Sequence, residues 1–329
     1  MTWLVTGGAG YIGAHVVRAL AADGAAVVVL DDMSTGSKER VPDDVPLVQG
    51  SVLDGRLVAA VLADHDVHGV VHLAGKKRVD ESVAEPTLYY RENVEGVRVL
   101  LDAMAAADVR RLVFSSSAAV YGMTAAGLVD EDADCRPLSP YGQTKLIGEW
   151  LVRAQAQAHG LGYVNLRYFN VAGAGNADLG DRGAFNLVPM VFARLRAGRR
   201  PLVFGTDYPT PDGTCVRDYI HVADLAGAHA AAARRLDADP ATGLTLNVGR
   251  GAGVSVLEVL AAVAAVTGAD TTPEPAARRA GDPASVVAAA DRIGAELSWH
   301  AEHDLASMVG SAWAAWQAEP GAGPEPGRS

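Results

Sequence analysis

The sequence predicts an α/β protein, a doubly wound parallel sheet with a smaller C-terminal α+β domain. Three observations predict it. Short runs rich in β-branched residues alternate with alanine- and leucine-rich amphipathic runs, which is the rhythm of βα units. The runs VVVL and GVVHLA are apolar throughout rather than alternating, as strands covered on both faces are. A glycine-rich turn, TGGAGYIG at 6–13, separates the first apolar run from the first helical one.

Taken in order, the strand-like runs are 3–6, 26–30, 46–49, 69–73, 111–115 and 163–167. Helical periodicity fills 11–22, 55–63, 87–107 and 141–159. After Asn170 the rhythm loosens, and glycine, proline and asparagine become frequent from 173 to 214. Two helix-like runs follow, at 222–236 and 254–266. This divides the chain into a dinucleotide-binding domain over 1–170, a substrate domain over 171–318 and a tail over 319–329. Some later segments are expected to return to the first domain. The tail, EPGAGPEPGRS, is too rich in proline and glycine to pack and reads as disordered.

Bulk composition narrows the function. The chain has 329 residues, with 28 Lys and Arg against 39 Asp and Glu, for a net charge of −11. There is no basic stripe, so nucleic acid is not an expected partner. No run of 18 apolar residues suggests a membrane span. The start, MTWLVTGG, lacks the basic opening of a signal peptide. The two cysteines, Cys135 and Cys215, form no CxxC pair, so neither a disulfide framework nor a metal site is expected. Idle thiols in a reducing cytoplasm are the simplest reading.

The glycine turn carries the first chemistry. Gly7, Gly8, Gly10 and Gly13 allow a tight turn and close approach of a pyrophosphate, and the following helix offers unpaired N–H groups. Strand, turn and helix, with Asp31 and Asp32 closing the second strand, form a Rossmann dinucleotide fingerprint. A carboxylate there accepts hydrogen bonds from both ribose hydroxyls and repels a 2′-phosphate. The predicted cofactor is NAD rather than NADP.

The second constellation is Ser115-Ser116-Ser117 followed by Tyr141 and Lys145. On a helix, Tyr141 and Lys145 at i and i+4 share a face. A free phenol titrates near 10, and bringing it close to neutrality takes about 4 kcal/mol of differential stabilisation. A lysine ammonium and a cationic nicotinamide are suited to supply it. Tyr141 then takes the proton of an alcohol whose carbon yields hydride, and Ser117 hydrogen-bonds the same oxygen. Asn93 stands mid-helix where its propensity is poor, either orienting a catalytic backbone or water, or resting as a satisfied core amide.

TGGAGYIG, VVHLAG, FSSSAAVYG, SPYGQTK, LRYFNVAGA and DGTCVRDYIHVADLA, with RRAGD at 278–282, together resemble the UDP-glucose 4-epimerases of the extended short-chain dehydrogenase/reductase family. The resemblance covers residues 1 to about 316. It implies a retained NAD that is reduced and reoxidised in each turnover, and a 4-keto sugar that turns over in the pocket. It assigns Ser117, Tyr141 and Lys145 to the O4 proton and the nicotinamide ribose. It places Gly7, Gly10, Tyr11, Ile12, Gly13, Asp31, Asp32, Ser51, Val52, Leu73, Ala74, Gly75, Lys77, Asn93, Ser115 and Phe169 at the cofactor. Lys77, Asn170, Asn186, Leu187, Phe204, Arg217, Arg279, Asp282 and Val286 fall to the UDP-sugar. Arginines suit a diphosphate because their fork donates to it bidentately.

The chain departs from the pattern at several places. Gly50-Ser51 stands where relatives have Gly-Asp after the third strand, with Asp54 as a substitute for the missing acid. Asp80 adds a charge where glycine is usual. Asp32 stands where asparagine is common. Val286 replaces a bulky gatekeeper, which implies room for an N-acetyl group at the sugar's C2. Ala118, Ala119 and Val120 follow Ser117 where a 4,6-dehydratase needs an acid. Epimerases of UDP-uronates or UDP-pentoses, and a non-catalytic NAD-binding regulator, are the competing readings. Relatives commonly pair through the two long helices, so a homodimer is expected.

Overall fold

The computed structural model describes residues 1–123, 127–183, 185–279 and 281–318. The expected tail, 319–329, lies outside them. The first half runs β1 (Thr2–Thr6), α1 (Tyr11–Ala22), β2 (Ala26–Asp31), β3 (Leu47–Gln49), α2 (Gly55–Asp64), β4 (Val67–His72), α3 (Val79–Ala84), α4 (Pro86–Tyr89), α5 (Gly96–Ala106), β5 (Arg111–Ser117), β6 (Leu128–Val129), α6 (Pro140–His159) and β7 (Gly162–Tyr168). The second runs β8 (Asn170–Ala172), α7 (Leu187–Arg196), β9 (Leu202–Phe204), β10 (Val216–His221), α8 (Val222–Ala238), β11 (Gly243–Val248), β12 (Gly253–Ser255), α9 (Val256–Thr267), β13 (Glu274–Ala276), β14 (Ser285–Ala288), α10 (Asp291–Leu297) and α11 (Leu305–Gln317).

The doubly wound sheet has seven strands in the order β11-β7-β5-β4-β1-β2-β3. Every pairing in it is parallel. Val16, Val17 and Leu20 of α1 and Leu225 and Ala228 of α8 cover one face. Val58 and Leu62 of α2, Leu100 and Met104 of α5 and Val152 of α6 cover the other. The order reverses between β1 and β4, and the crevice at such a reversal is where doubly wound sheets bind ligands.

Two local predictions needed correction. The expected continuous helix over 87–107 is α4, a wider π-type turn over Tyr90–Glu95, then α5. The turn is set by i→i+5 backbone bonding, which apolar periodicity alone does not reveal. The helix expected from 254 begins at Val256, because Ser255 and Glu258 form a capping box.

The smaller sheet runs β12-β10-β14-β6, with β8 also on β10, and β13 pairs with β9. Phe192, Val259, Leu260 and Met308 anchor its core. The two sheets exchange strands along the chain. β6 pairs with β14, while β11 adds to the large sheet beside β7. Among the described residues, no helix is long and apolar enough to cross a membrane.

Candidate active site

The glycine turn leaves β1 with Gly7 at φ +74. A Cβ at Gly7 would come within 2.8 Å of the Ala74 nitrogen, and one at Gly13 within 2.1 Å of the Gly7 carbonyl oxygen. Glycine is therefore required for the loops after β1 and β4 to touch. Gly10 precedes α1 and gives its first turn no side-chain cap, leaving N–H groups free for an anion. At the end of β2, Asp31 is buried; its Oδ2 accepts from the Ala9 N–H at 2.9 Å and its Oδ1 from the Met33 N–H at 2.9 Å. Burial raises its carboxyl above the usual range, opposed by those two bonds. Each carboxylate oxygen keeps a further lone pair for a ribose hydroxyl.

These groups line one cleft of about 280 Å³ at the sheet reversal. Of the expected cofactor residues, Gly7, Gly10, Tyr11, Ile12, Gly13, Asp31, Asp32, Ser51, Val52, Leu73, Ala74, Gly75, Lys77, Tyr141 and Lys145 line it. A glycine cradle, a helix N-terminus and a strand-end acid in one cleft fit a dinucleotide. Asp54 does not substitute for the acid missing at Ser51. Its carboxylate caps α2, accepting from Arg56 and Leu57 N–H at 3.1 Å.

The proposed proton-transfer set meets at the end of β5. Pro140 at the first turn and Ser139 as cap start α6 one residue before Tyr141. A buried ion pair then seats the helix. Arg167 of β7 grips Glu149 of α6 through two bonds of 2.7 and 2.8 Å, and Ser116 of β5 donates to the same carboxylate at 2.6 Å. One turn before Glu149, the Lys145 ammonium donates to the Ser115 carbonyl at 2.9 Å. One turn earlier stands Tyr141, its phenol near enough to Ser117 for the serine to favour the phenolate. Tyr89 stands edge-on to the Tyr141 ring, centroids 6.5 Å apart, and donates its own hydroxyl proton to Glu81 at 2.8 Å.

Burial sets the electrostatics of the protein without its cofactor. Burial raises the Tyr141 phenol and the Ser117 hydrogen bond opposes that rise. Burial also lowers Lys145 to about 8. In the protein alone, Lys145 therefore does not bring Tyr141 towards neutrality.

Three residues expected at the cofactor stand behind the cleft. Asn93, in the π-type turn, accepts from the Lys76 N–H at 2.8 Å and donates to the Lys76 carbonyl at 2.9 Å and to Thr144 at 3.0 Å. It thus holds the loop after β4 against α6. The Ser115 side chain faces Tyr168 and His229. Phe169 packs with Val120 and Leu146. Tyr168, Glu81, Arg78 and Phe185 line the cleft although the sequence reading passed over them. Tyr168 and Arg78 each adjoin a residue that reading did single out, Phe169 and Lys77.

Most residues expected at the UDP-sugar lie in the second half of the chain, and two pairs of them are in contact. Arg217 of β10 donates to Asp282 at 3.1 Å and to the Val216 carbonyl at 2.8 Å. Arg279 lies over the Phe204 ring, 4.0 Å from its centroid. Asn186, preceding Leu187 and α7, donates to Asp181 at 2.6 Å. Asn170 opens β8, exposed and in register with Tyr219. Val286 stands opposite Arg217 in the ladder and is buried with Val120, Leu146 and Phe169. Both cysteines are free, and no cluster of three or more potential metal ligands occurs among the described residues.

The model of the NAD dependent epimerase/dehydratase family matches residues 3–249. The UDP-glucose 4-epimerase of Azospirillum brasilense is 45% identical over 318 residues, covering 95% of this chain and 91% of that one. Among solved structures, the Brucella ovis UDP-glucose 4-epimerase in complex with NAD superposes with a TM-score of 0.90 at 38% identity, over 94% of this chain and 97% of that one. The Bifidobacterium longum UDP-glucose 4-epimerase in complex with NAD+ and UDP gives 0.91 at 37% identity, over 98% of this chain and all of that one.

Proposed function

The chain belongs to the NAD-dependent epimerase/dehydratase family, and on that premise we propose that it catalyses reversible C4 epimerisation of a UDP-hexose, interconverting UDP-galactose and UDP-glucose through a 4-keto sugar. The observation that carries this reading is the meeting of Ser117, Tyr141 and Lys145 beside a glycine cradle with a strand-end acid. Bound in that cradle, NAD supplies the acceptor, and then the donor, of the C4 hydride.

The chain's own residues handle the proton. Tyr141 takes it from O4 and returns it to the same oxygen when hydride comes back to the other face of C4. Ser117 donates to the same oxygen and keeps it in line. Lys145 has three N–H groups, of which the Ser115 carbonyl takes one; the others are available to a ribose. Two cations close to a buried phenol offset the cost of its burial, so Tyr141 becomes a base only when the cleft is filled. Asp31 selects NAD by accepting from both ribose hydroxyls. Arg217 and Arg279 hold the diphosphate, with Asn170, Asn186, Phe204 and Asp282 around the nucleotide and sugar. The first domain, 1–170, serves the cofactor and the second, 171–318, the sugar.

The test is incubation of the purified protein with UDP-galactose and no added cofactor, with products resolved by anion exchange. UDP-glucose approached to a constant ratio from either direction supports the reading. No conversion after NAD is added rejects it. Val286 extends the substrate range to UDP-N-acetylhexosamines, because valine leaves space a tyrosine would fill; loss of that activity alone in Val286→Tyr is the expected result. The same reading makes the enzyme a cytoplasmic homodimer. Exposed Tyr90 and Trp150 on the two helical segments expected to pair support it, and sedimentation measures it.

A further inference from the structure

The stretch Lys76–Asp80 carries a charge, Asp80, that the family resemblance leaves without a purpose. The structure gives it a partner. Asp80 holds Arg78 through two bonds, Nη2 to Oδ2 at 2.6 Å and Nε to Oδ1 at 3.3 Å. A guanidinium gripped by its edge presents a flat face, and that face covers the Phe185 ring at 4.3 Å. Phe185 comes from the segment before α7, so the contact joins the loop after β4 to the substrate half. Both side chains line the cleft that Tyr141 and Lys145 line. Phe185 is 54% exposed, so packing in a core does not explain its ring. The Arg78 backbone is also tied to the catalytic side, its N–H donating to the Tyr89 hydroxyl at 2.9 Å, and Tyr89 stands against Tyr141.

We infer that Arg78 and Phe185 form a clasp across the mouth of the cleft, with Asp80 as its anchor, that keeps the 4-keto sugar in place until hydride returns. The inference rests on the epimerase reading. A keto sugar has passed its C4 hydride to the cofactor and its O4 proton to Tyr141. If it leaves at that point, the enzyme is stranded with reduced cofactor. Retention is therefore a requirement of the chemistry, and the two residues are positioning residues for it. An arginine face on an aromatic ring is weak enough to open in each cycle.

The experiment compares the parent enzyme with Phe185→Ala, Arg78→Ala and Arg78→Lys during turnover of UDP-galactose. Two quantities are read together: UDP-glucose formed, and absorbance at about 340 nm from stranded reduced cofactor. Their ratio normalises for any change in activity. Phe185→Ala and Arg78→Ala should each raise stranding per turnover about tenfold, the effect of one contact worth roughly 1.4 kcal/mol. Arg78→Lys keeps the charge but loses the planar fork, and should resemble Arg78→Ala. Asp80→Asn should act in the same direction and less. An unchanged ratio in both alanine variants, with normal epimerisation, overturns the clasp alone. A lysine variant equal to the parent overturns the stacking geometry. A parent that does not epimerise overturns the functional reading and the clasp with it.

Discussion

The cofactor side and the region expected to take the UDP-sugar hold their polar side chains in different ways. On the large sheet each group is fixed by a neighbour that stays put: Lys145 by the Ser115 carbonyl, Glu149 by Arg167 and Ser116, Asn93 by both sides of the Lys76 peptide. In the second half of the chain, groups expected at the UDP-sugar are held by other mobile side chains, Arg217 by Asp282, Arg279 by Phe204, Asn186 by Asp181. The first arrangement is preorganised and the second must exchange partners when substrate arrives. Damage to the first should therefore appear in turnover or stability, and damage to the second in KM.

The sharpest test is Tyr141→Phe, which keeps the ring and removes the proton acceptor. It should lower kcat by about 10²- to 10⁴-fold with the fold intact; a loss under tenfold would break the assignment. Next is Glu149→Ala, which leaves the Arg167 guanidinium buried without its partner. Removing one member of a buried pair costs about 3–5 kcal/mol, read as a fall in the denaturation midpoint; a change confined to KM would erase the contrast between the halves. Arg217→Ala should do the reverse, weakening kcat/KM by about 10- to 100-fold through KM, the scale of a charge-assisted hydrogen bond, with the midpoint unmoved.

The last test concerns acid. Burial lowers His15, His221 and His229 to about 4 and His72 to about 3. An unfolded histidine titrates near 6.5, so below that value the unfolded chain binds more protons than the folded one. Stability is full above about pH 6.5 and is lost as pH falls, by about 1.4 kcal/mol per pH unit for each histidine that stays neutral. His229→Asn should flatten the dependence between pH 6.5 and 4 by about one proton. An unchanged slope would show that His229 contributes nothing to it.

The same contrast governs what was legible in the sequence. α1 lies where the periodicity predicts it, and the glycine cradle and Asp31 are readable as a spacing, because their partners are near in the chain. β8, β9, β12 and β13 are three residues each. They are strands only because distant segments offer edges, which no local pattern encodes. The Gly243–Val248 strand was passed over although it completes the large sheet. Arg78 and Phe185 are joined by a contact spanning more than a hundred residues, which local sequence spacing does not reveal. By spacing Asp54 reads as a spare acid at the cofactor, whereas in the fold it caps α2.

The late arrival of β11 has a consequence for the chain as it is made. β7 pairs with β5 on one side and waits on the other for a strand nearly eighty residues further on. Until then its backbone donors and acceptors form an open edge flanking Val164 and Leu166, both fully buried in the finished protein. Such an edge pairs with whatever strand it meets, including another nascent copy. A truncation after residue 170 therefore yields not a free-standing cofactor domain but a sticky one, prone to aggregate.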